Sequence, residues 1–315
     1  MRFEFIHCHG SGNDFPLIDA RGLRLGEKDW AAVARALADR GGPVGGDGLL
    51  LLAPGNGEAA FAMRMFNSDG SEAETCLNGL RCVARAGFEA LGIDRATVRL
   101  KTSIAAVARD PDLAAGVYTV RERAGPASLA VRDWPMEVGA DEVVEAAIPA
   151  LSDTHAFTAV AMPNPHLVSF VERIDEAALV AIGEACEAAP AWLPRRANVS
   201  FVEQRGPDRL FVRTHERGVG LTDSCGSAMA ASAYAACLTG RAGWGAALTV
   251  LNRGGRVAAR AKADGFVTLA GNATWEWAGS VDVDLTHGTA AGLVVDRRFE
   301  AEVAAWAAVK EAAAA

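Results

Sequence analysis

The sequence predicts a mixed α+β protein with largely antiparallel sheets. Three observations support this prediction. Short apolar runs typical of strands outnumber the helical patterns, most gaps between these runs are too short for a parallel crossover, and the order of elements restarts near the middle of the chain. Such a restart is what two similar halves would produce, although two unrelated α+β domains can also share it by chance.

The first half contains alternating apolar runs and two helical patterns. Strands are predicted on both sides of the polar turn HGSGND within residues 3–19, and at 49–53, 61–66, 97–102, 117–121 and 128–132. Helices are predicted at 28–39 and from about 76 to 91. The glycine-rich run 40–48 and the segment 67–71 are predicted turns, since Gly, Pro, Asn and Asp dominate them.

The second half repeats this order. Strands are predicted near 157–161 and at 167–171, 198–203, 209–213, 247–251, 256–261, 265–270 and 273–284. Helices are predicted at 175–188 and 225–238, and the Ala-rich tail 299–315 is predicted to be helical. Turns are predicted at 163–166 and 216–223.

Composition narrows the class of function. Half of the residues are hydrophobic, 22% are charged and the net charge is −8, which argues against a general binder of nucleic acid or of anionic membranes. The first residues lack an apolar signal core and no run is long enough to span a membrane, so we expect a cytoplasmic protein. In that compartment the six cysteines are expected to be reduced.

Two of the cysteines stand at the predicted starts of helices. The stretch SEAETCLNGLRC (71–82) places Cys76 after two acids, and ERGVGLTDSCG (216–226) places Cys225 in the same setting. A helix N-terminus has unpaired N–H groups and roughly half a positive charge. It therefore lowers the pKa of a thiol and binds carboxylates, so we expect both cysteines to be reactive.

Two such helix ends around one substrate would place a sulfur on each face of its α-carbon. One thiolate could remove the α-proton while the other thiol returns a proton from the opposite side. The backbone N–H groups would stabilise the charge that develops on the carboxylate. This reaction inverts the stereocentre and needs no pyridoxal cofactor, and no lysine has an obvious Schiff-base context.

Several motifs occur in an order that resembles the diaminopimelate epimerase family. They are HGSGNDF (9–15), GGDG (45–48), NSDGSEAE (67–74), Cys76, RC (81–82), NPH (164–166), Asn198, ERGVG (216–220) and CGS (225–227). The resemblance covers nearly the whole chain apart from the tail after about residue 285. It implies two similar domains, each a curved, mostly antiparallel sheet around a central helix, which face each other across a cleft. It also implies domain limits of 1–122 with 274–315, and 123–273.

The resemblance also implies roles for individual residues. Cys76 and Cys225 would be the acid–base pair, without cofactor or metal. The reacting carboxylate would be held by Asn78 and by the N–H groups of Leu77, Asn78, Gly226 and Ser227. Asn13 and Glu216 would contact the ammonium group, supported by His166. Asn67, Asn164, Asn198 and Arg217 would bind the distal amino-acid head, since an Arg fork matches a carboxylate. The sequence leaves open whether two copies pair as a homodimer.

Other interpretations remain for these residues. The Asn side chains could stabilise turns, Glu216 and Arg217 could form a surface ion pair, and His166 could be a turn histidine. The other cysteines, at 8, 82, 186 and 237, are expected to be small core residues. The motif His7-Cys8-His9 is not expected to bind a metal, because alternate strand residues point to opposite faces.

The chain departs from the family pattern near the expected site. Leu77 replaces a Gly after the first cysteine, Pro163 replaces a Gly before Asn164, His215 replaces an aromatic residue, and Asp223-Ser224 replaces a pair of small residues. These changes favour an alternative substrate, such as a single-headed amino acid like histidine. A non-catalytic amino-acid binding protein or a thiol redox protein on the same fold is a further alternative.

Overall fold

The computed structural model describes residues 1–314. The first stretch of chain forms β1 (Arg2–Gly10), β2 (Asn13–Asp19), α1 (Glu27–Ala38), β3 (Gly48–Pro54), β4 (Phe61–Asn67), α2 (Leu77–Leu91), β5 (Arg95–Arg99), β6 (Ile104–Asp110) and β7 (Thr119–Ala124). The middle forms β8 (Ala146–Ile148), β9 (Ser152–Ala161), β10 (Pro165–Phe170), α3 (Glu176–Glu187), β11 (Asn198–Gly206), β12 (Arg209–Glu216), β13 (Gly220–Thr222), α4 (Gly226–Leu238), β14 (Leu248–Asn252), β15 (Gly255–Ala261) and β16 (Val267–Asn272). The last stretch forms β17 (Thr274–Asp284), β18 (Thr289–Arg298) and α5 (Glu300–Ala314).

Contacts between residues divide the chain into two compact units. Unit 1 contains Met1–Glu122 and Ala270–Glu311, and unit 2 contains Arg123–Leu269 and residues 312–314. The α+β fold class predicted from the sequence is confirmed, with many strands and few helices in each unit. The domain limits implied by the resemblance remain predictions beside these units.

The two units share one strand-pairing pattern. In unit 1, β1–β2 is antiparallel, β2–β3 parallel, β3–β4 antiparallel, β4–β5 parallel and β5–β6 antiparallel. In unit 2, β9–β10, β10–β11, β11–β12, β12–β14 and β14–β15 repeat the same alternation. Each parallel pair is joined by a helix, as a parallel connection requires: α1 and α2 in unit 1, and α3 and α4 in unit 2. The internal duplication suspected from the sequence is therefore present in the topology.

Each unit has one central helix. Helix α2 packs against all of β1–β6, and α4 packs against β9–β12, β14 and β15. Helix α4 reads GSAMAASAYAACL and is apolar on every side, so its sheet can surround it. The side chains around α2 include Phe15, Leu50 and Phe61, and all three are fully buried. A sheet therefore packs around each central helix, and a cysteine is the N-cap residue of both.

The structure corrects several predicted elements. The predicted strand 128–132 is instead a short 3₁₀ turn, Val131–Asp133, after a single bridge between Ser128 and Ala161. The Ser128 hydroxyl bonds Asp133 and accepts from the Ala130 N–H, and such local bonds compete with a strand ladder. Strands β6, β8, β13 and β18 were not predicted. Within residues 1–314, no helix is both long and apolar enough to cross a lipid bilayer.

Candidate active site

Cys76 is the N-cap residue of α2. Its backbone is extended, with φ −149° and ψ 104°, and its Sγ accepts a hydrogen bond from the Gly79 N–H at 3.3 Å. The sulfur thus takes the place that a Ser or Asp oxygen occupies at most helix starts. A side chain at Gly79 would place its Cβ 2.7 Å from Leu50 and 3.4 Å from the sulfur. Gly79 therefore lets the first turn of α2 approach β3 closely.

Asn13 lies beside this thiol at the start of β2. Its Oδ1 is 3.7 Å from Cys76 Sγ, within the range of an S–H···O hydrogen bond. Its Nδ2 donates to the carboxylate of Asp47, which follows the glycine-rich turn. The sequence placed Asn13 at the ammonium end of the substrate, and the structure places its amide oxygen next to the first thiol.

Asn78 lies in the first turn of α2, and its side chain is hydrogen-bonded to Arg81. Arg81 Nη2 donates to Asn78 Oδ1 at 2.7 Å, and Arg81 Nη1 pairs with Glu122 at 2.7 Å. Both charged side chains are fully buried, and Arg81 also binds Ser11 Oγ and the carbonyl oxygen of Asn272. Burial raises the pKa of Glu122 to about 7, while Arg81 acts in the opposite direction. The ion pair fixes the amide of Asn78.

Asn67 and Leu77 each have a local contact within unit 1. The Asn67 side chain donates to Ser71 Oγ at 2.9 Å within the turn that ends β4. Leu77, the first residue of α2, packs against the hydrophobic core of unit 1. Its branched side chain therefore contributes to the packing beneath the first turn of the helix, and its role beside a substrate stays a prediction.

Cys225 occupies the equivalent place in unit 2, as the N-cap of α4 with φ −123° and ψ 114°. Its Sγ lies 3.5 Å from Ser227 Oγ, and Gly226 opens the helix. Burial raises the pKa of this thiol well above its usual range, and the nearby carboxylate of Glu216 raises it further. The Ser227 hydroxyl and the Ala228 N–H oppose these effects. The expectation of a lowered thiol pKa is wrong for Cys225, because desolvation and a carboxylate outweigh the helix N-terminus.

Glu216 ends β12 beside this thiol. Its carboxylate is hydrogen-bonded to Cys225, and its Oε1 accepts from the Thr222 hydroxyl at 2.5 Å. Thr222 lies in β13, whose pairing with β12 brings the two residues together. The sequence assigned Glu216 to the substrate ammonium group. The structure places it where it can exchange a proton with the second thiol.

His166 is hydrogen-bonded to Ser227. Its Nε2 lies 3.1 Å from Ser227 Oγ and 3.2 Å from Asn164 Oδ1. Because an amide oxygen only accepts, Nε2 is the protonated nitrogen, and the Ser227 hydroxyl is left to donate to Cys225. Burial lowers the pKa of His166 to about 3, with Arg217 acting in the same direction. His166 is therefore neutral near pH 7, and in the described part of the chain its buried Nδ1 has no hydrogen-bond partner.

Asn198 and Arg217 are joined through the main chain. Asn198 Oδ1 accepts from the Arg217 N–H at 2.8 Å, and its Nδ2 donates to the carbonyl oxygen of Pro165 at 3.2 Å. The exposed Arg217 guanidinium donates to the carbonyl oxygen of Arg195 at 3.1 Å, which leaves further donors for a ligand. Asn198 thus fixes the backbone from which Arg217 projects.

His215 is one of the residues at which the chain departs from the family pattern. Its side chain is buried beneath α3, where a Cβ on Gly183 would lie 2.2 Å from the imidazole ring.

The sequence reasoning assigned no role to Arg40, Asp47, Arg81 and Glu122. Asp47 and Arg81 lie in motifs that carried the resemblance, GGDG and RC, so a signal was present for these two. The sequence around Glu122 contained no such signal, because an acidic residue in a strand usually faces solvent. Only the packing of β7 buries this side chain.

Comparison with known proteins extends the likeness over most of the chain. The family model described as diaminopimelate epimerase matches residues 5–109 and 158–276. The chain belongs to the diaminopimelate epimerase family. It is 37% identical to the diaminopimelate epimerase of Clostridium acetobutylicum over 90% of this chain and 87% of that protein. It is 40% identical to that of Enterococcus faecalis over 87% of each chain.

Solved structures show the same fold at lower identity. A phenazine biosynthesis protein of the PhzF family from Bacillus anthracis has a TM-score of 0.65 at 14% identity, covering 90% of this chain and 100% of that one. A hydroxyproline epimerase from Agrobacterium vitis has a TM-score of 0.61 at 14% identity, covering 91% and 94%. The strand and helix order of this family member is therefore found in distant proteins as well.

Proposed function

We propose that this family member interconverts LL- and meso-2,6-diaminopimelate by two-thiol α-proton transfer, in the synthesis of lysine and peptidoglycan precursors. One observation carries the mechanism: a cysteine caps the central helix at the same topological position in both units. Chance would rarely place two N-cap cysteines at equivalent points of a duplicated fold, because Ser, Thr, Asp and Asn are the preferred caps. The family match supports the choice of substrate.

Cys76 and its neighbours form the first half of the chemistry. As a thiolate, Cys76 takes the α-proton, and the amide of Gly79 stabilises the negative sulfur. The N–H groups of Leu77 and Asn78, in the first turn of α2, receive the carboxylate together with the amide of Asn78. Carbanion charge then spreads onto oxygen atoms that face fixed donors, which lowers the barrier.

Cys225 supplies the opposite proton. Its raised pKa keeps this thiol protonated near neutral pH, so it is ready to act as the acid. When it donates its proton to the α-carbon, Ser227 donates a hydrogen bond to the resulting thiolate. Turnover leaves Cys76 protonated and Cys225 ionised, which is the correct starting state for the reverse reaction. Glu216 can restore the proton of Cys225 or remove it.

The distal amino-acid head of the substrate requires a second set of polar groups. Arg217 offers a guanidinium with unused donors to a carboxylate, and Asn67 and Asn164 offer amides. Asn198 contributes mainly by holding the main chain of Arg217. We also infer a cytoplasmic location, because the mechanism needs both thiols reduced and the cytosol maintains thiols in that form.

Deuterium exchange at the α-carbon tests this proposal. In D₂O, the wild-type protein is expected to exchange and invert LL-diaminopimelate without added cofactor. Cys76→Ala and Cys225→Ala are each expected to lose inversion by at least about 10³-fold, while each retains exchange of one stereoisomer through its remaining thiol. Cys237→Ala, a buried cysteine farther along α4, is the matched control and is expected to invert normally.

Two results would overturn the proposal. If another amino acid, such as histidine, exchanges while diaminopimelate does not, the substrate is wrong. If either cysteine variant still inverts its substrate at the wild-type rate, the two-thiol mechanism is wrong.

A further inference from the structure

The amide of Asn13 lies between a carboxylate and the first thiol. Its Nδ2 donates to Asp47 Oδ2, and its Oδ1 is 3.7 Å from Cys76 Sγ. An asparagine amide has a donor end and an acceptor end of nearly the same shape, so only its partners decide which end points where.

Asp47 decides the orientation, because an ionised carboxylate only accepts hydrogen bonds. If the amide were turned over, its oxygen would face the carboxylate oxygen and the contact would become repulsive. The Asn13 oxygen is therefore directed toward Cys76. On that side it can accept a hydrogen bond from the thiol or from the ammonium group of a substrate.

Asp47 is itself held in place by charged partners. Arg40 bridges Asp47 Oδ1 at 2.7 Å and Asp14 Oδ1 at 2.5 Å, and the Asp47 N–H donates to the carbonyl oxygen of Asp14 at 2.8 Å. The Asp14 N–H also donates to Asp47 Oδ2 at 3.3 Å. Asp14 precedes the core residue Phe15, so this network connects the carboxylate to the rigid part of β2.

We propose that Asp47 is a positioning residue that sets the polarity of the Asn13 amide beside Cys76, with Arg40 holding the carboxylate in place. This inference deepens the proposed function and rests on it for its effect on catalysis. Asp47 acts through its hydrogen bond to the Asn13 amide. It ensures that an acceptor faces the thiol and the ammonium group.

A double-mutant cycle on α-proton exchange tests the proposal. Asp47→Asn offers both a donor and an acceptor, so the Asn13 amide loses its fixed orientation, and exchange is expected to fall about 10-fold. In Asn13→Ala the exchange rate is expected to fall at least as far. In the double variant it is expected to fall no further than in Asn13→Ala alone. Asp47→Glu keeps an acceptor-only group and is expected to recover most of the rate. Asp19→Asn, which breaks an exposed ion pair with Arg21, is the matched control and is expected to be unchanged.

Multiplicative losses in the double variant would overturn the proposal, because Asp47 would then act independently of Asn13. A rate for Asp47→Asn equal to that of the wild type would overturn it as well.

A second measurement does not depend on turnover. The rate at which iodoacetamide alkylates Cys76, followed by mass spectrometry across pH, reports the ionisation of that thiol alone. With Asp47→Asn, an amide NH₂ can face the sulfur and stabilise the thiolate, so the alkylation profile is expected to move to lower pH. In the Asn13→Ala background, Asp47→Asn is expected to cause no further movement.

This measurement separates the two proposals. If Asp47→Asn shifts the pH profile of Cys76 alkylation equally in the Asn13→Ala background, the charge of Asp47 acts on the sulfur directly and the positioning role is wrong. If the expected movement is found but diaminopimelate is not exchanged, the positioning role stands and the proposed function fails.

Discussion

Glu216 is hydrogen-bonded to the thiol of Cys225, the residue that caps α4. The two residues lie nine positions apart in the sequence, and the short strand β13 between them folds back on β12 to bring them together. A helix N-terminus alone would favour a thiolate, but burial and this carboxylate favour the thiol. The protonation states of the proposed acid therefore depend on a neighbour as much as on the helix.

Removal of the Glu216 charge is expected to make Cys225 more acidic. In Glu216→Gln the carboxylate that raises the thiol pKa is gone, so the alkylation profile of Cys225 should move to lower pH. Exchange should fall roughly 10²-fold, because the group that exchanges a proton with the thiol is lost. Asp223→Asn, which removes a charge nearer in sequence, serves as the control. An unchanged Cys225 profile in Glu216→Gln would contradict the assigned contact.

The buried pair of Arg81 and Glu122 is expected to be essential for both folding and rate. Arg81→Lys keeps the charge, but an ammonium group cannot span Asn78, Ser11, Glu122 and the Asn272 carbonyl oxygen as the guanidinium does. We expect a loss of about 2 kcal/mol in unfolding free energy, because buried groups that the guanidinium satisfied lose a hydrogen-bond partner. The measurements are thermal unfolding and α-exchange, with Arg35→Lys, at an exposed position of α1, as control. Wild-type stability would show that the pair is dispensable.

Acid is expected to destabilise the protein through His9. Burial lowers the pKa of His9 to about 4, whereas an unfolded histidine titrates near 6.5. Between these pH values the unfolded chain binds a proton that the folded chain does not, so stability is lost as pH falls from 6.5 toward 4. When fully developed, this difference in pKa corresponds to about 3 kcal/mol of stability. Burial also lowers the pKa of His166, so this residue adds to the loss of stability in acid.

The check is the difference in melting temperature between pH 7 and pH 4.5. That difference should be smaller for His9→Gln than for the wild type, because glutamine carries no titrating proton. Identical differences in both proteins would rule out His9 as a source of the acid sensitivity.

An ion pair is expected to contribute to the attachment of the C-terminal helix α5, beside the packing of Trp306 and Val309 against Val117. Glu302 binds Arg85 of α2 with two hydrogen bonds, at 2.5 and 2.9 Å, and the guanidinium lies 4.3 Å from the rings of Tyr118 and Trp275. Glu302→Gln weakens this contact, so limited proteolysis should cut near the start of α5 several times faster. Glu311→Gln, an exposed acid on the same helix, should behave as the wild type. Equal cleavage rates in all three proteins would show that the ion pair is not needed.

Sequence patterns were sufficient for the regular elements with strong periodicity. The ends of α2, both cysteine caps and most strands follow from apolar spacing and turn residues, because these signals are local. Helix α4 follows from its Ala-rich composition, since it has no polar face. Strands without alternation, such as β18 with Gly292 at φ +65°, were missed. The helical tail was expected on composition, but its attachment through Arg85 was not.

The sequence by itself determined the fold class, the two cysteine-capped helices and the family, since all of these rest on residue types in a fixed order along the chain. Only the tertiary structure decided the environment of each functional group. It placed Glu216 against Cys225, Asp47 against Asn13 and Arg81 behind Asn78, and it buried His166. The physical reason is that pKa values and amide orientation depend on burial and on the nearest charged atoms, and these come from parts of the chain far apart in sequence.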